Sequence, residues 1–164
     1  MIEIVQADIT GLRVDAIVNA ANPALAGGGG VDGAIHRAAG PRLVAASMRL
    51  APCPPGEAVI TPGFNLQARF VIHAVGPVWR GGEEGEPEIL RRTYENCFRL
   101  AAQEPTIRSI AFPAISTGVY GFPRDQAARI ATDAMRVHLA EFDRIIACVF
   151  DDLTLAIYQQ LLGD

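Results

Sequence analysis

Two segments of the sequence place glycines beside polar side chains in patterns that could hold an anion and act on it. The first segment, residues 19–33, contains Asn22, an unbroken run of four glycines at 27–30, and Asp32. An ordered glycine run costs much backbone entropy, so a fold that keeps one needs its backbone close to another group. The run leads into a predicted helix, whose first N–H groups are unpaired and carry the positive end of the helix dipole. A phosphate fits there, although the glycines alone leave a flexible linker open.

The second segment, residues 112–123, also connects a predicted strand to a predicted helix. Ser116 and Thr117 supply hydroxyl groups, and Gly118 and Gly121 allow the backbone to turn inward. Pro123 suits the first turn of the following helix, which offers another positive terminus. A plain strand-to-helix connection would look the same by itself, but two such loops favour a ligand with two adjacent phosphates.

Residues 28–33 also match the G-x-G-x-x-G pattern of dinucleotide-binding domains, which makes a nicotinamide-dependent oxidoreductase an alternative. That pattern belongs in a tight strand-to-helix turn, yet the eight residues 19–26 separate the predicted strand from the glycines. No acidic residue follows about 20 residues later at a strand end. A Walker-type loop is excluded because no Gly-Lys-Ser or Gly-Lys-Thr occurs. We therefore interpret the match as incidental.

Asp32 and the three histidines have structural as well as catalytic interpretations. Asp32 could cap a helix that starts near Gly33 and pair with His36 one turn later, and neither contact excludes catalysis. We expect His36 to fix this loop, His73 to be a hydrogen-bonded histidine inside a strand, and His138 to lie on a helix face. None of them has a serine or cysteine at a spacing that suggests a nucleophilic triad.

The elements that must position these residues follow from hydrophobic periodicity. Apolar runs rich in valine and isoleucine predict strands at residues 2–5, 14–18, 58–61, 69–75, 109–112 and 144–150. Helical spacing predicts helices at about 33–39, 41–50, 88–102, 123–139 and from about 153. The alternation implies an α/β fold, a three-layer α/β/α sandwich with a largely parallel sheet that binds ligands at the carboxyl ends of its strands. We expect residues 81–87 to form a solvated surface turn without a role.

Size and composition fit one ordered domain spanning residues 1–164. The net charge of −4 disfavours a protein that binds nucleic-acid backbones, whereas a small anion held by backbone N–H groups needs no net positive charge. No segment resembles a signal peptide or a membrane span, so we expect a cytoplasmic protein without a membrane partner. Cys53, Cys97 and Cys148 lack a metal-ligand pattern, so we expect reduced thiols, no metal and no cofactor.

Five segments together resemble the macrodomain family, and within it the hydrolytic MacroD-type branch. They are residues 7–10, 14–22, 27–40, 71–77 and 110–123, and they occur in the order of the family over nearly the whole chain. The resemblance implies a mixed sheet between helices, with ADP-ribose in a cleft at the strand ends.

The resemblance also implies roles for individual residues. The Asp8 carboxylate would accept a hydrogen bond from the adenine amino group, the Ile9 backbone would donate one, and the Phe150 ring would lie against adenine. Asn22 and Asp32 would carry the catalysis at the distal ribose. The other residues expected to contact the substrate are Asn19, Gly28, Gly29, Gly30, Val31, Ser116, Thr117, Gly118, Val119 and Tyr120.

The implied function is hydrolysis of ADP-ribosyl esters, on mono-ADP-ribosylated Asp or Glu side chains or on O-acetyl-ADP-ribose. Asp32 would accept a proton from the attacking water, alone or helped by the substrate's α-phosphate, while Asn22 would hold ribose hydroxyls. Two alternatives stay open: a reader module that binds ADP-ribose without turnover, and an ADP-ribosylated nucleic-acid end as substrate. We expect a monomer whose partner is ADP-ribose or an ADP-ribosylated protein.

Overall fold

The computed structural model of the protein describes residues 1–163 and contains a six-stranded sheet. The strands are β1 (Ile2–Gln6), β2 (Ala16–Ala20), β3 (Ala58–Pro62), β4 (Phe70–Ala74), β5 (Ser109–Phe112) and β6 (Arg144–Val149). The helices are α1 (Gly30–Ala39), α2 (Pro41–Met48), α3 (Glu86–Ala102), α4 (Arg124–His138) and α5 (Asp152–Leu162). Two short 3-10 helices, Ile9–Gly11 and Leu139–Glu141, follow β1 and α4. Every predicted strand and helix is present, with small shifts at the ends.

The strands lie in the order β1-β6-β5-β2-β4-β3; the β3–β4 pair is antiparallel and the other pairs are parallel. The predicted α/β fold with a mixed, largely parallel sheet is confirmed. β2 begins at Ala16, later than the prediction of residue 14, because the Asp15 carboxylate accepts from the backbone N–H groups of Arg108 and Ser109 at 2.7 and 2.9 Å. Immediately before β2, these side-chain hydrogen bonds take the place of backbone hydrogen bonds between strands.

The strand side chains alternate between two cores, one on each face of the sheet. In β2, Val18 packs into the core that contains Phe98 of α3 and Met135 of α4. Ile17 packs on the opposite face, in the core that contains Ile35 of α1. Each fully buried side chain of this kind contributes about 1.5–3 kcal/mol relative to exposure. The predicted three-layer α/β/α sandwich is confirmed, and within residues 1–163 no helix combines the length and apolar character that crossing a membrane requires.

The segment that precedes α3 is more ordered than the sequence suggested. We expected residues 81–87 to be a solvated turn, but Glu86 is only 2 % exposed. Its carboxylate accepts from the backbone N–H groups of Arg80, Gly82 and Glu84 at 2.8, 3.0 and 2.8 Å. Burial opposes ionisation, but these donors prevail and lower the pKa of Glu86 to about 2. The expectation agrees with the exposure of residue 81 and residues 83–85 but is wrong for Glu86, because a carboxylate at the start of a helix can accept from the N–H groups of the preceding loop.

Candidate active site

The loops that carry the predicted site leave the sheet at one edge. β1, β6, β5, β2 and β4 run parallel side by side, so their carboxyl ends share this edge. A glycine-rich loop (residues 21–29) follows β2, and the β5–α4 loop (residues 113–123) follows the neighbouring strand. The prediction that the two loops lie at the same edge is confirmed.

The glycine-rich loop ends at an open helix N-terminus. α1 begins at Gly30, with Gly29 as N-cap, and no side chain in the described chain caps it. A Cβ added to Gly29 or Gly30 would meet no atom within 4 Å, and both residues are exposed together with Gly28. The first N–H groups of α1 therefore stay available to an anion, with the positive end of the helix dipole behind them. Val31 is half-buried and packs partly against the core beneath.

Asp32 lies in the first turn of α1, and its side chain turns inward. The residue is 6 % exposed. The expectation that Asp32 caps the helix is wrong, because the helix starts before it and Gly29 takes the cap position. The predicted contact with His36 is confirmed, since His36 Nε2 lies 3.2 Å from Asp32 Oδ1. The same oxygen accepts from Asn19 Nδ2 at 2.9 Å, so Oδ1 lies between the Asn19 amide and the His36 ring.

Asn19 contacts Asp32 from inside the sheet, and its expected contact with the substrate stays a prediction. Its side chain is completely buried, because β2 continues through this position and keeps it inside the sheet. Its Nδ2 lies 3.2 Å from His73 Nδ1 as well as 2.9 Å from Asp32 Oδ1. His73, predicted to be a hydrogen-bonded sheet histidine, is confirmed as one: its Nε2 lies 3.0 Å from Thr61 Oγ1.

Asn22 and Asp32 flank the same point beside Gly28. A Cβ built on Gly28 would lie 3.2 Å from Asp32 Oδ2 and 3.6 Å from Asn22 Nδ2. Asn22 Nδ2 donates to the Gly27 carbonyl at 3.1 Å, whereas Asn22 Oδ1 is buried without a hydrogen-bond partner. An unpaired buried acceptor is costly unless a ligand or water satisfies it. The missing side chain of Gly28 thus leaves room between a carboxylate oxygen and an amide.

The β5–α4 loop turns back on itself at Ser116. Ser116 has a positive φ of 69°, and its carbonyl accepts from the Phe122 N–H at 2.9 Å. Its hydroxyl is buried without a partner. Thr117 Oγ1 donates to the Ala114 carbonyl at 2.9 Å.

The tip of the β5–α4 loop remains open to ligand. Gly118 and Val119 are exposed and Tyr120 is half-buried. The base of the loop is held by its own hydrogen bonds, and its tip is accessible. An anion-binding turn needs both features.

A third loop, residues 75–85 after β4, supports the β5–α4 loop, and the sequence analysis missed it. A Cβ on Gly76 would overlap Ser116 Oγ and lie 2.7 Å from the Ile115 side chain, so the two loops meet only because residue 76 is glycine. The backbone N–H of Trp79 donates to the Tyr120 carbonyl at 2.8 Å. The Trp79 ring packs on the Phe122 ring, with centroids 4.7 Å apart. The signal in the sequence was the glycine placed directly after a buried strand.

The opposite end of the edge carries Asp8 and Phe150. They follow the paired strands β1 and β6, and the Ala7 N–H donates to the Val149 carbonyl at 3.2 Å. Phe150 is 88 % exposed and is therefore not the core residue that a strand end often provides. Asp8 is exposed and accepts from the Thr10 hydroxyl at 2.7 Å and the Thr10 N–H at 3.0 Å. These bonds lower the pKa of Asp8 and keep it a carboxylate.

Within residues 1–163 no group of three His, Cys, Asp or Glu side chains could hold a metal ion. The three cysteines are free and buried. Burial raises the pKa of each thiol, that of Cys148 to about 11. A protonated buried thiol is a poor nucleophile, so none of the three cysteines is a candidate nucleophile.

Comparison with known proteins places this geometry in context. The model of the Macro domain family matches residues 18–131. An O-acetyl-ADP-ribose deacetylase of Klebsiella pneumoniae is 53% identical over 168 aligned residues, which cover 98% of this chain and 95% of that protein.

Solved structures show the same fold. The Oceanobacillus iheyensis macrodomain with ADP superimposes with a TM-score of 0.90 at 43% identity, over 97% of this chain and 88% of that one. The Trypanosoma brucei macrodomain in complex with ADP-ribose gives a TM-score of 0.91 at 41% identity, over 99% of this chain and 69% of that one.

Proposed function

The chain belongs to the Macro domain family, and from this premise we propose that it binds ADP-ribose and hydrolyses ADP-ribosyl esters. The ester is O-acetyl-ADP-ribose or mono-ADP-ribose attached to an Asp or Glu side chain of a protein. The observation that carries the proposal is that Asp32 Oδ2 and Asn22 Nδ2 flank one point beside Gly28. That point adjoins a helix N-terminus suited to a phosphate.

The order of the strands supports a ligand lying along the sheet edge. In this proposal adenine lies against Phe150, its amino group donates to Asp8, and the backbone N–H of Ile9 donates to the ring. The diphosphate lies between the N-terminus of α1 and the β5–α4 loop, which follow the neighbouring strands β2 and β5. The distal ribose then reaches Asn22 and Asp32.

Hydrolysis of the ester requires a positioned water and a group that accepts its proton. The water oxygen bonds to the acyl carbon while Asp32 Oδ2 takes the proton. The bond between the acyl carbon and the ribose oxygen then breaks, and that proton passes to the ribose oxygen to give a hydroxyl. Asn22 and Tyr120 orient the ribose. The α-phosphate of the substrate is the alternative proton acceptor.

We also infer that residues 1–164 act as one domain, as a monomer and in the cytoplasm. A six-stranded sheet shared by the described elements supports a single domain. Free thiols suit a reducing compartment, where disulfides are rare.

The test combines calorimetry with ADP-ribose and two turnover assays, on O-acetyl-ADP-ribose and on an Asp/Glu-modified protein. We expect Asp32→Ala to keep its affinity for ADP-ribose within about tenfold, ~1.4 kcal/mol. Its turnover should fall by about 10²–10⁴-fold, the usual contribution of a general base. Asp133→Ala is the matched control, because it removes a carboxylate that is exposed on α4.

Each outcome separates the candidates. An Asp32→Ala variant that hydrolyses at the wild-type rate overturns the assignment of the base. Wild-type protein that binds ADP-ribose but releases no product from either ester is a reader module instead. ADP-ribosylated RNA ends, assayed in parallel, show whether nucleic acid is a substrate.

A further inference from the structure

We propose that His73 is a positioning residue for this hydrolysis: through the side-chain amide of Asn19 it fixes the orientation of the Asp32 carboxylate. The inference rests on the proposed function. It concerns a residue behind the cleft, which contacts neither the water nor the ribose.

The three side chains form one buried chain of hydrogen bonds across two strands and a helix. Asn19 on β2 and His73 on β4 are direct partners in the parallel ladder, and both are completely buried. Asn19 Nδ2 lies 2.9 Å from Asp32 Oδ1 and 3.2 Å from His73 Nδ1. His73 Nε2 lies 3.0 Å from Thr61 Oγ1 on β3, and Thr61 Oγ1 lies 3.1 Å from the Pro62 carbonyl.

The direction of every bond in this chain is determined. A carboxylate only accepts, so Asn19 turns its NH₂ group toward Asp32, and the second N–H of that group donates to His73 Nδ1. His73 must therefore carry its proton on Nε2, which donates to Thr61, and the Thr61 hydroxyl donates to the Pro62 carbonyl. Burial, aided by the neighbouring His36, lowers the pKa of His73 to about 4, so the ring stays neutral in this form.

This chain makes the two oxygens of Asp32 unequal. Oδ1 accepts from Asn19 and lies 3.2 Å from His36 Nε2, while Oδ2 points to the space beside Gly28. Rotating the Asn19 amide by half a turn would set its oxygen against both the carboxylate and the lone pair of His73 Nδ1. His73 therefore prevents that rotation, and the free oxygen of Asp32 keeps its place toward the cleft.

An apolar residue would suffice at position 73 if only packing mattered. Val71, two residues earlier on the same face of β4, belongs to the core beneath α1, together with Ile35. Burying an imidazole there costs free energy unless its nitrogens are bonded. The structure meets this cost with two bonds, one of which leads to the candidate base, and such buried networks specify a single arrangement.

The test measures kcat, KM and ADP-ribose affinity in matched variants. We expect His73→Leu to lower kcat by about 10–100-fold, with ADP-ribose affinity changed less than about threefold. A loss of kcat without a matching loss of affinity distinguishes misplacement of the Asp32 carboxylate from general damage to the fold. His73→Gln can accept from Asn19 and donate to Thr61, so it should restore much of the loss.

Thr61→Val tests the same chain if His73→Leu does not fold. It leaves the His73 N–H without a partner, whereas Thr61→Ser keeps one. Thr132→Val is the control, because Thr132 is also buried but bonds only to the Arg129 carbonyl within α4. We expect Thr61→Val, and not Thr132→Val, to lower kcat while leaving ADP-ribose affinity within about threefold.

Nitrogen-15 NMR of labelled histidine gives a readout that needs no substrate. We expect His73 to show a protonated Nε2 and an unprotonated Nδ1 between pH 5 and 8. The opposite tautomer overturns the inference, as does a folded His73→Leu protein with wild-type kcat. If the wild type hydrolyses neither ester, the proposed function fails and the inference falls with it; if only the variant results disagree, the function stands.

Discussion

The two ends of the proposed ADP-ribose cleft are built in opposite ways. At the proposed distal end, defined by Asn19, Asn22, Asp32 and His73, polar side chains are buried or half-buried, and Asp32 Oδ1 accepts a hydrogen bond from the buried Asn19 amide. At the proposed adenine end, defined by Asp8 and Phe150, the side chains are exposed, and the Phe150 ring projects into solvent.

The difference suits the role proposed for each end. A proton acceptor must stand at a set distance from the water, and buried hydrogen bonds hold it there more firmly than exposed ones. An aromatic ring that stacks on a base contributes by contact area, which tolerates small movements. We therefore expect changes at the distal end to alter kcat and changes at the adenine end to alter affinity.

The largest expected effect that tests this contrast is that of Gly28→Ala. The new methyl would lie 3.2 Å from Asp32 Oδ2 and 3.6 Å from Asn22 Nδ2, in the space assigned to the reacting groups. We expect kcat to fall by about 10²-fold, the scale of a misplaced reacting atom. Steady-state kinetics on O-acetyl-ADP-ribose measure it. Gly11→Ala is the control for kcat, since a Cβ there meets nothing within 4 Å and the residue lies in the 3-10 helix after β1, at the proposed adenine end.

A Gly28→Ala protein with unchanged kcat would show that the space beside Gly28 is not the reaction site. A loss confined to ADP-ribose affinity would instead assign that space to the diphosphate. Either result would contradict the expectation that changes at the distal end alter kcat.

Phe150→Ala is expected to have the next largest effect, on affinity alone. Removing a ring that stacks on a base costs about 1–3 kcal/mol, or about 5–150-fold in Kd. The kcat at saturating substrate should stay within about threefold, because the distal end is untouched. Calorimetry with ADP-ribose measures the loss. Val137→Ala, which removes an exposed apolar side chain from α4, controls for general surface effects.

Phe150→Tyr keeps the ring and should keep the affinity. An unchanged Kd in Phe150→Ala would mean that adenine does not lie on this ring. A fall in kcat as large as the rise in Kd would mean that the two ends are coupled. That result would contradict the expectation that the adenine end alters affinity alone.

The sequence predicted the elements and the open loops well, because hydrophobic period and glycine position are local signals. It placed Asp32 beside His36, since residues four apart on a helix are neighbours. It did not find the contact between Asn19 and His73, which depends on β2 and β4 being adjacent in the sheet. Strand order comes from the packing of the whole domain, and no local pattern encodes it.

Two further misses have a similar origin. The start of α1 was placed at Gly33, because glycine has a poor intrinsic helix propensity, but the chain continues the helix back to Gly30. Packing explains the shape there: a Cβ on Gly33 would lie 2.6 Å from the Gly28 carbonyl, so the loop folds tightly over the helix. Glu86 was assigned to a solvated turn, although it is the first residue of α3 and its carboxylate accepts from three backbone N–H groups of the preceding loop.

The smallest expected effect concerns His138, outside the proposed cleft, where a substitution should change stability without changing kcat or affinity. His138 lies between Glu95 and Glu141, with Nε2 and Nδ1 each 2.9 Å from a carboxylate oxygen, and it stacks on Phe98. Burial lowers its pKa, but the two carboxylates outweigh burial, so the pKa of His138 is raised in the folded protein. Such a group stabilises the fold fully below its unfolded pKa, about 6.5, and the contribution disappears as pH rises through the folded value.

Glu95→Gln should therefore lower the free energy of unfolding by about 0.5–1 kcal/mol at pH 6, the value usual for a partly exposed pair. The difference from wild type should shrink at pH 9, where the histidine is neutral in both states. Urea unfolding at the two pH values measures it. A difference that grows with pH would contradict the raised pKa. Any change in kcat or in ADP-ribose affinity would mean that the contact between α3 and α4 affects the proposed cleft. The effects of substitutions at either end of the cleft could then not be explained by local contacts alone.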